Sequence, residues 1–219
     1  GLSTHIEKLK ELANKIDDKL SQVKDIHDQL SEVQVMLKGW YSDTQDKISN
    51  HIDQHMDNIS KCKQEFIDLL VSKAIGEQCE EVLYACDSMR LAAQTSINNQ
   101  ASDILVQVSD KKIQHLANLK IKYEALNDDI KSRIDKVSFQ IACIDSVVSF
   151  IAKMLTQNSA LEVLTIYEDL TTRVTSILET DTHAITSMSF QLFQFNTSIG
   201  EHQLGDIEEE ETTVSKFLA

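Results

Sequence analysis

The 219-residue chain contains no proline, five glycines and 5% aromatic residues. A chain of this length and average composition would contain about 11 prolines and roughly 15 glycines. The connections of β-sandwiches, barrels and loop-rich α/β enzymes depend on these two residues. Their scarcity excludes those fold classes and predicts an all-α, almost wholly helical chain.

Positive charge is also scarce, because 21 Lys and Arg residues face 35 Asp and Glu residues for a net charge of -14. Binding to a nucleic-acid backbone or to an anionic membrane surface through bulk charge is therefore not expected. The sequence shows no run of about 18 apolar residues and no basic-then-apolar leader. We therefore expect neither a membrane span nor a signal peptide.

Cysteines are too sparse for a disulfide framework, and none form a C-x-x-C pair. This pattern indicates a reducing, intracellular setting, either cytoplasmic or nuclear. Cys62, Cys79 and Cys86 suit small buried side chains, with a disulfide between two copies as the alternative. The four cysteines are Cys62, Cys79, Cys86 and Cys143.

Apolar residues recur every three or four positions along most of the chain, which is the spacing of a coiled coil. The first such stripe consists of Ile6, Leu9, Ala13, Ile16, Leu20, Val23, His27 and Leu30. Next, Ile48, Ile59 and Leu70 repeat at eleven residues, a period typical of straighter helices. The strongest stripe is Leu116, Leu119, Tyr123, Leu126, Ile130, Ile134, Val137, Ile141, Ile144, Val148, Ile151 and Leu155.

The stripe is weaker between residues 73 and 110, where Gly76 or the Asn98-Asn99 pair could mark a bend. Further on, Ser159 is placed to cap a short helix. The domain organisation predicted from these breaks is a long coiled-coil helix or helices with fold-back over 3-155, and a short closing helix over 159-179. An extended linker and a flexible acidic tail then occupy 180-219, with Met188 to Phe195 strand-like and Glu208 to Glu211 solvated.

A continuous apolar stripe requires a partner, since each fully buried Leu or Ile is worth roughly 1.5 to 3 kcal/mol. One helix from residue 5 to about 110 would measure on the order of 160 Å. Folding back the remaining 45 or so residues would cover under half of it, so a homodimer is predicted. Spacing leaves parallel and antiparallel pairing open, although the change of period suits an antiparallel pair. The predicted dimer interface consists of Leu9, Ile16, Leu20, Val23, Leu30, Ile48, Ile52, Ile59, Phe66 and Leu70.

Several ordered segments resemble the coiled-coil region of the tripartite-motif (TRIM) ubiquitin ligases. They are Thr4 to Leu9, the Ile59 to Leu70 stretch, Asp110 to Lys112 before the Leu116 heptads, residues 143-173, and the Met188 to Phe190 and 199-207 links. The links are similar to those of members with NHL or filamin-type domains and of the nuclear transcriptional-cofactor branch.

The resemblance implies a long antiparallel coiled-coil dimer that crosses near Phe66 and Leu70, with shorter helices folding back and a short extended C-terminal segment. It implies a homodimerisation scaffold that spaces N-terminal RING and B-box modules at the ends of a rod and places C-terminal recognition domains near its centre. Those modules would bind zinc and a ubiquitin-conjugating enzyme, and the C-terminal domains RNA or chromatin. This chain itself would be non-catalytic, without a cofactor or metal of its own.

Individual residues leave a few alternatives open. His51 and His55 lie one turn apart, but Ile52 stands where the zinc-protease motif needs Glu, so an exposed helix face is favoured over a metal site. Trp40 with Tyr41 could dock a partner or pack where the heptad phase slips.

His27 could be a pH-sensitive register marker or a partly solvated residue. The aromatic cluster of Phe190, Phe193 and Phe195 could pack back onto the rod or belong to a following domain. No nucleophile set, phosphate loop or paired carboxylates can be identified. The alternative functions are a helical membrane-shaping or pore-forming protein, and a monomeric cytoskeletal linker.

Overall fold

The computed structural model describes residues 1-73, 80-157, 160-197 and 204-219. The chain is mostly helical, as predicted, with one small two-stranded sheet. Its elements in order are α1 (Leu2–Lys73), α2 (Glu80–Gln157), α3 (Ala160–Glu179), α4 (His183–Ser187), β1 (Ser189–Asn196), β2 (Asp206–Thr213) and α5 (Val214–Leu218). The predictions at Gly76, Cys79, Ser159 and 199-203 lie outside the described residues.

The chain divides into two compact units. The first consists of Gly1–Gly39, Glu124–Leu192 and Glu210–Ala219, and the second of Trp40–Tyr123 and Phe193–Glu209.

In the first unit, α1 packs against α2 and α3. The Gln34 side-chain amide donates to Asn127 Oδ1 at 3.3 Å. The Lys19 ammonium group donates to the backbone carbonyls of Leu178 and Thr180 at the end of α3. The fully buried core residues here repeat at heptad-like spacing on both long helices: Leu9, Ile16, Val23, Leu30, Val33, Leu37, Ile130, Val137 and Ile151.

In the second unit, α1 and α2 run antiparallel. Tyr41 stacks on Tyr123 with ring centroids 4.2 Å apart, and further along α1 Asp53 Oδ1 accepts from Lys112 Nζ at 2.7 Å. Higher numbers on one helix therefore face lower numbers on the other. Ile48, Ile52 and Leu119 are fully buried in this unit.

The two strands form the C-terminal sheet. Asn196 at the end of β1 donates to Glu208 near the start of β2 at 3.2 Å. Phe190 near the start of β1 contacts Phe217, which follows β2, with ring centroids 5.8 Å apart. The strands are therefore antiparallel.

The acidic run lies in β2 rather than in a segment without secondary structure, while Glu208 to Glu211 are exposed, as the solvated interpretation expected. Three of its glutamates have polar partners. Glu208 accepts from Asn196, Glu209 pairs with Lys122, and Glu210 lies 3.9 Å from Lys216. The strand-like Met188 to Phe195 segment is confirmed as β1, and Phe193 on it is 1% exposed.

A single straight helix from residue 5 to about 110 does not fit the antiparallel packing of α1 and α2 in the second unit. Asn98 and Asn99 lie inside α2, which is helical throughout its length. Within each unit, α2 of the same chain covers the apolar stripe of α1. Most of the stripe is therefore buried inside one chain, which the spacing of the apolar residues did not predict.

Candidate interaction surface

The ten predicted interface residues fall into two groups. Six are buried within the single chain, and their place in a dimer interface stays a prediction: Leu9, Ile16, Val23, Leu30, Ile48 and Ile52. The other four retain accessible surface, with Leu20, Ile59 and Leu70 half-buried and Phe66 exposed. Three of these four belong to the predicted crossing.

Residues 53-72 and 84-100, which we call the uncovered segments, contain no buried side chain. Both belong to the second unit. The first is the part of α1 that follows the buried Ile52, and the second is the part of α2 that precedes the buried Ala101. Large apolar residues nonetheless occur here, and they are exposed to solvent: Phe66 56%, Leu69 56%, Val71 44%, Tyr84 77%, Met89 72% and Leu91 64%. A concentration of exposed apolar side chains of this kind marks an interaction surface.

The two helices pack loosely near this surface. An open groove of 410 Å³ lies between them, lined by Met56 and Lys63 on α1 and by Asn98, Leu105 and Val106 on α2. The groove is open to solvent and adjoins the uncovered segments.

The α2 side of the surface carries no net charge. Residues 84-102 contain only two charged side chains, Asp87 and Arg90, and their oxygen and nitrogen atoms lie 3.1 Å apart. In a chain with a net charge of -14, this stretch presents little electrostatic repulsion to another acidic molecule.

A second exposed apolar face lies in the first unit. On α2, Phe139 is 72% and Phe150 46% exposed, and on α3, Leu161 is 74% exposed. The helix Tyr84–Gln157 contains an 18-residue stretch of mean hydropathy 1.5, of which 22% is buried, so by length and composition it could cross a membrane.

The lack of an unbroken apolar run predicted no such stretch. Residues 137-154 contain two charged side chains, Asp145 and Lys153, in an otherwise uncharged segment. A windowed average of hydropathy, rather than a search for uninterrupted apolar residues, would have identified it.

The C-terminal strands contact a group of histidines in the second unit. The ring centroids of His51 and His115 lie 5.7 Å and 6.0 Å from that of Phe195, and His55 lies 4.9 Å from His51. His115 is 5% exposed, and burial, followed by the charge of Lys111, lowers its pKa below the ordinary value. The sequence singled out His51 and His55 alone, since nothing in local spacing links them to residues so distant in the chain.

Two other aromatic residues pack within the second unit. The indole nitrogen Nε1 of Trp40 donates to the Phe193 carbonyl oxygen at 2.7 Å, and Tyr41 stacks on Tyr123. Of the two interpretations of Trp40 and Tyr41, the structure shows packing.

His27 is only partly accessible, with 33% of its side chain exposed and its ring 3.8 Å from Asp28. Its neighbour Ile26 is the buried residue at this turn. The aromatic residues Phe190 and Phe193 are buried against this chain, as the packing interpretation expected.

Within the described residues, no group of three or more His, Cys, Asp or Glu side chains could hold a metal ion. No family profile, curated protein or solved structure matches the chain. The TRIM resemblance and the antiparallel dimer therefore stay predictions.

Proposed function

We propose that this chain is a non-catalytic homodimerisation scaffold of the TRIM type, and that two copies meet through the uncovered segments. In the arrangement that the resemblance implies, N-terminal RING and B-box modules are held apart, and C-terminal recognition domains are gathered near the dimer centre. The chain acts through geometry and effective concentration, because joining two binding modules makes the second binding event intramolecular.

One observation carries the proposal. The stretch of α1 around Phe66 and Leu70, where the resemblance implies that the dimer crosses, lies where the chain leaves its own apolar residues uncovered. Elsewhere α2 covers the stripe, so a second copy would have little apolar surface to gain from Leu9 or Ile16.

A second copy is the occupant that the charge pattern favours. A basic partner would find no acidic face on residues 84-102, whose two charged side chains neutralise each other. Another acidic copy can approach the same stretch without repulsion, and its own exposed Tyr84, Met89 and Leu91 would supply complementary apolar area.

Light scattering coupled to size-exclusion chromatography tests the proposal. We expect a mass of twice 24.7 kDa at micromolar concentration. The variant Ile59→Glu with Leu70→Glu should elute as a monomer, while Leu9→Glu with Ile16→Glu should destabilise the helix pair without specifically removing the dimer contact. A monomeric native chain would contradict the proposal, and an unchanged dimer in the first variant would contradict the location of the crossing.

A second candidate function is membrane association, because most of the apolar stretch in α2 is accessible. Co-sedimentation with liposomes of neutral lipid at physiological salt separates the two functions. Strong binding that is lost in Phe139→Glu with Phe150→Glu would favour the membrane function, whereas a chain that stays in the supernatant would favour the scaffold. The net charge of -14 and the charged Asp145 and Lys153 within residues 137-154 make the scaffold our choice.

A further inference from the structure

The C-terminal strands contact the helices of the second unit at several places: Trp40 donates to the Phe193 carbonyl, Lys122 pairs with Glu209, and one aromatic ring lies between two histidines. Phe195 of β1 makes edge-to-face contacts with His51 of α1 and His115 of α2. One residue before the start of β2, Gly205 lies close to the same ring with a φ of +77°. A Cβ at Gly205 would come within 2.7 Å of Phe195 Cε2, so the chain is fitted closely onto this ring.

The His115 ring suits this site only when it is neutral. The Nε2 atoms of His51 and His115 are buried and have no hydrogen-bond partner among the described residues. A neutral imidazole can leave one nitrogen without a proton, whereas a protonated ring carries N–H donors on both nitrogens. A buried charged donor without an acceptor is costly, so protonation disfavours the attached state.

Charged and titratable groups from each packed element act on His115. Lys111 on α2 disfavours protonation of His115. Asp206 on β2 and the Gly205 backbone favour protonation of His115. On α1, His55 lies beside His51, while Asp53 is paired with Lys112 of α2. Phe195 of β1 carries no charge. Burial and the charge of Lys111 are the two largest effects on His115, and both lower its pKa below the ordinary value.

We propose that the part of the β1–β2 strand pair in the second unit is a pH-sensitive clasp, held on α1 and α2 while His115 is neutral and released when His115 is protonated. A histidine whose pKa is lower in the attached state contributes its full stabilisation above its ordinary pKa of about 6.5. That stabilisation is lost as the pH falls from there through the lower pKa of the attached state. This inference is independent of self-association.

Trp40 is the chain's single tryptophan, and it reports directly on the clasp because its indole donates to the Phe193 carbonyl. We expect its fluorescence emission to shift to longer wavelength between pH 7.5 and pH 5.2, while far-UV circular dichroism shows that the helices remain. The variant His51→Gln with His115→Gln should lose this shift. The control His27→Gln, on the same helix in the first unit, should keep it.

A charge variant tests the same inference. Asp206 lies on β2 and favours protonated His115 only while the strands are attached, so Asp206→Asn should move the midpoint of release to higher pH. The proposal is overturned if native emission does not change over this range, if the double histidine variant keeps the native transition, or if Asp206→Asn leaves the midpoint where it is. Should the histidine variant be released already at pH 7.5, the shift of the midpoint in Asp206→Asn decides the matter.

Discussion

Replacing Phe66 and Leu69 by glutamate should separate the two copies and leave each chain folded. Both side chains are 56% exposed in the single chain, so neither contributes much to its core. Glutamate is a good helix former, so α1 should stay intact. The two residues nonetheless lie at the predicted crossing, where a second copy would cover them.

The size of the effect follows from the area that remains to be covered. Full burial of a Leu or Phe side chain is worth about 1.5 to 3 kcal/mol, so covering the exposed 56% of each is worth about 1 kcal/mol. A symmetric dimer contains four such side chains, which together amount to about 4 kcal/mol. Since each 1.4 kcal/mol is tenfold, the dissociation constant should rise about a thousandfold.

Sedimentation equilibrium over a range of concentrations measures this constant. The matched control is Val35→Glu with Ile121→Glu, which places two charges on helix positions that are 73% and 64% exposed outside the uncovered segments. The control should bind its copy as the native chain does. If Phe66→Glu with Leu69→Glu dissociates no more readily than the control, the uncovered segments are not the interface.

Three further predictions concern packing. Phe193→Ala should lower the free energy of unfolding by about 3 to 5 kcal/mol in thermal or denaturant unfolding, because Phe193 is 1% exposed, whereas the 72% exposed Phe139 should tolerate the same change. A double-mutant cycle of Tyr41→Ala and Tyr123→Ala should give a coupling of about 0.5 to 1.5 kcal/mol, and purely additive effects would show that the observed stacking contributes nothing. Gly205→Ala should destabilise the strand pair by about 1 kcal/mol or more, because Gly205 has a φ of +77°. The emission of Trp40 at pH 7.5 should then already be shifted to longer wavelength. Native emission in this variant would argue against the tight fit at Gly205.

The periodic stripes predicted the helices well, because a three-four spacing of apolar residues is a local property of the sequence. None of the twelve positions from Leu116 to Leu155 is exposed, and α3 covers nearly the predicted range of 159-179. What the stripe left undetermined was the source of the partner helix. A heptad face can be covered equally well by the same chain or by another copy, and here α2 of the same chain covers most of it.

The contacts between distant residues could not be predicted from spacing. His51, His115 and Phe195 come from three elements, and their meeting depends on how β1 lies on the helices. A run of like charges is typical of a solvated tail, so its spacing does not indicate that Glu208 to Glu211 lie in a strand. Their partners, Lys122 and Asn196, become neighbours only in the folded chain.

Electron–electron dipolar spectroscopy with a single spin label on Cys62 would test the central claim most directly. Cys62 is exposed within the uncovered segments, and Cys79, Cys86 and Cys143 can be replaced by serine so that each chain carries one label. Because a single label produces a dipolar signal only with a label on another chain, we predict a clear modulation that disappears on dilution with unlabelled protein. If labelled chains outnumber unlabelled ones and the trace still shows no modulation, two copies do not meet here.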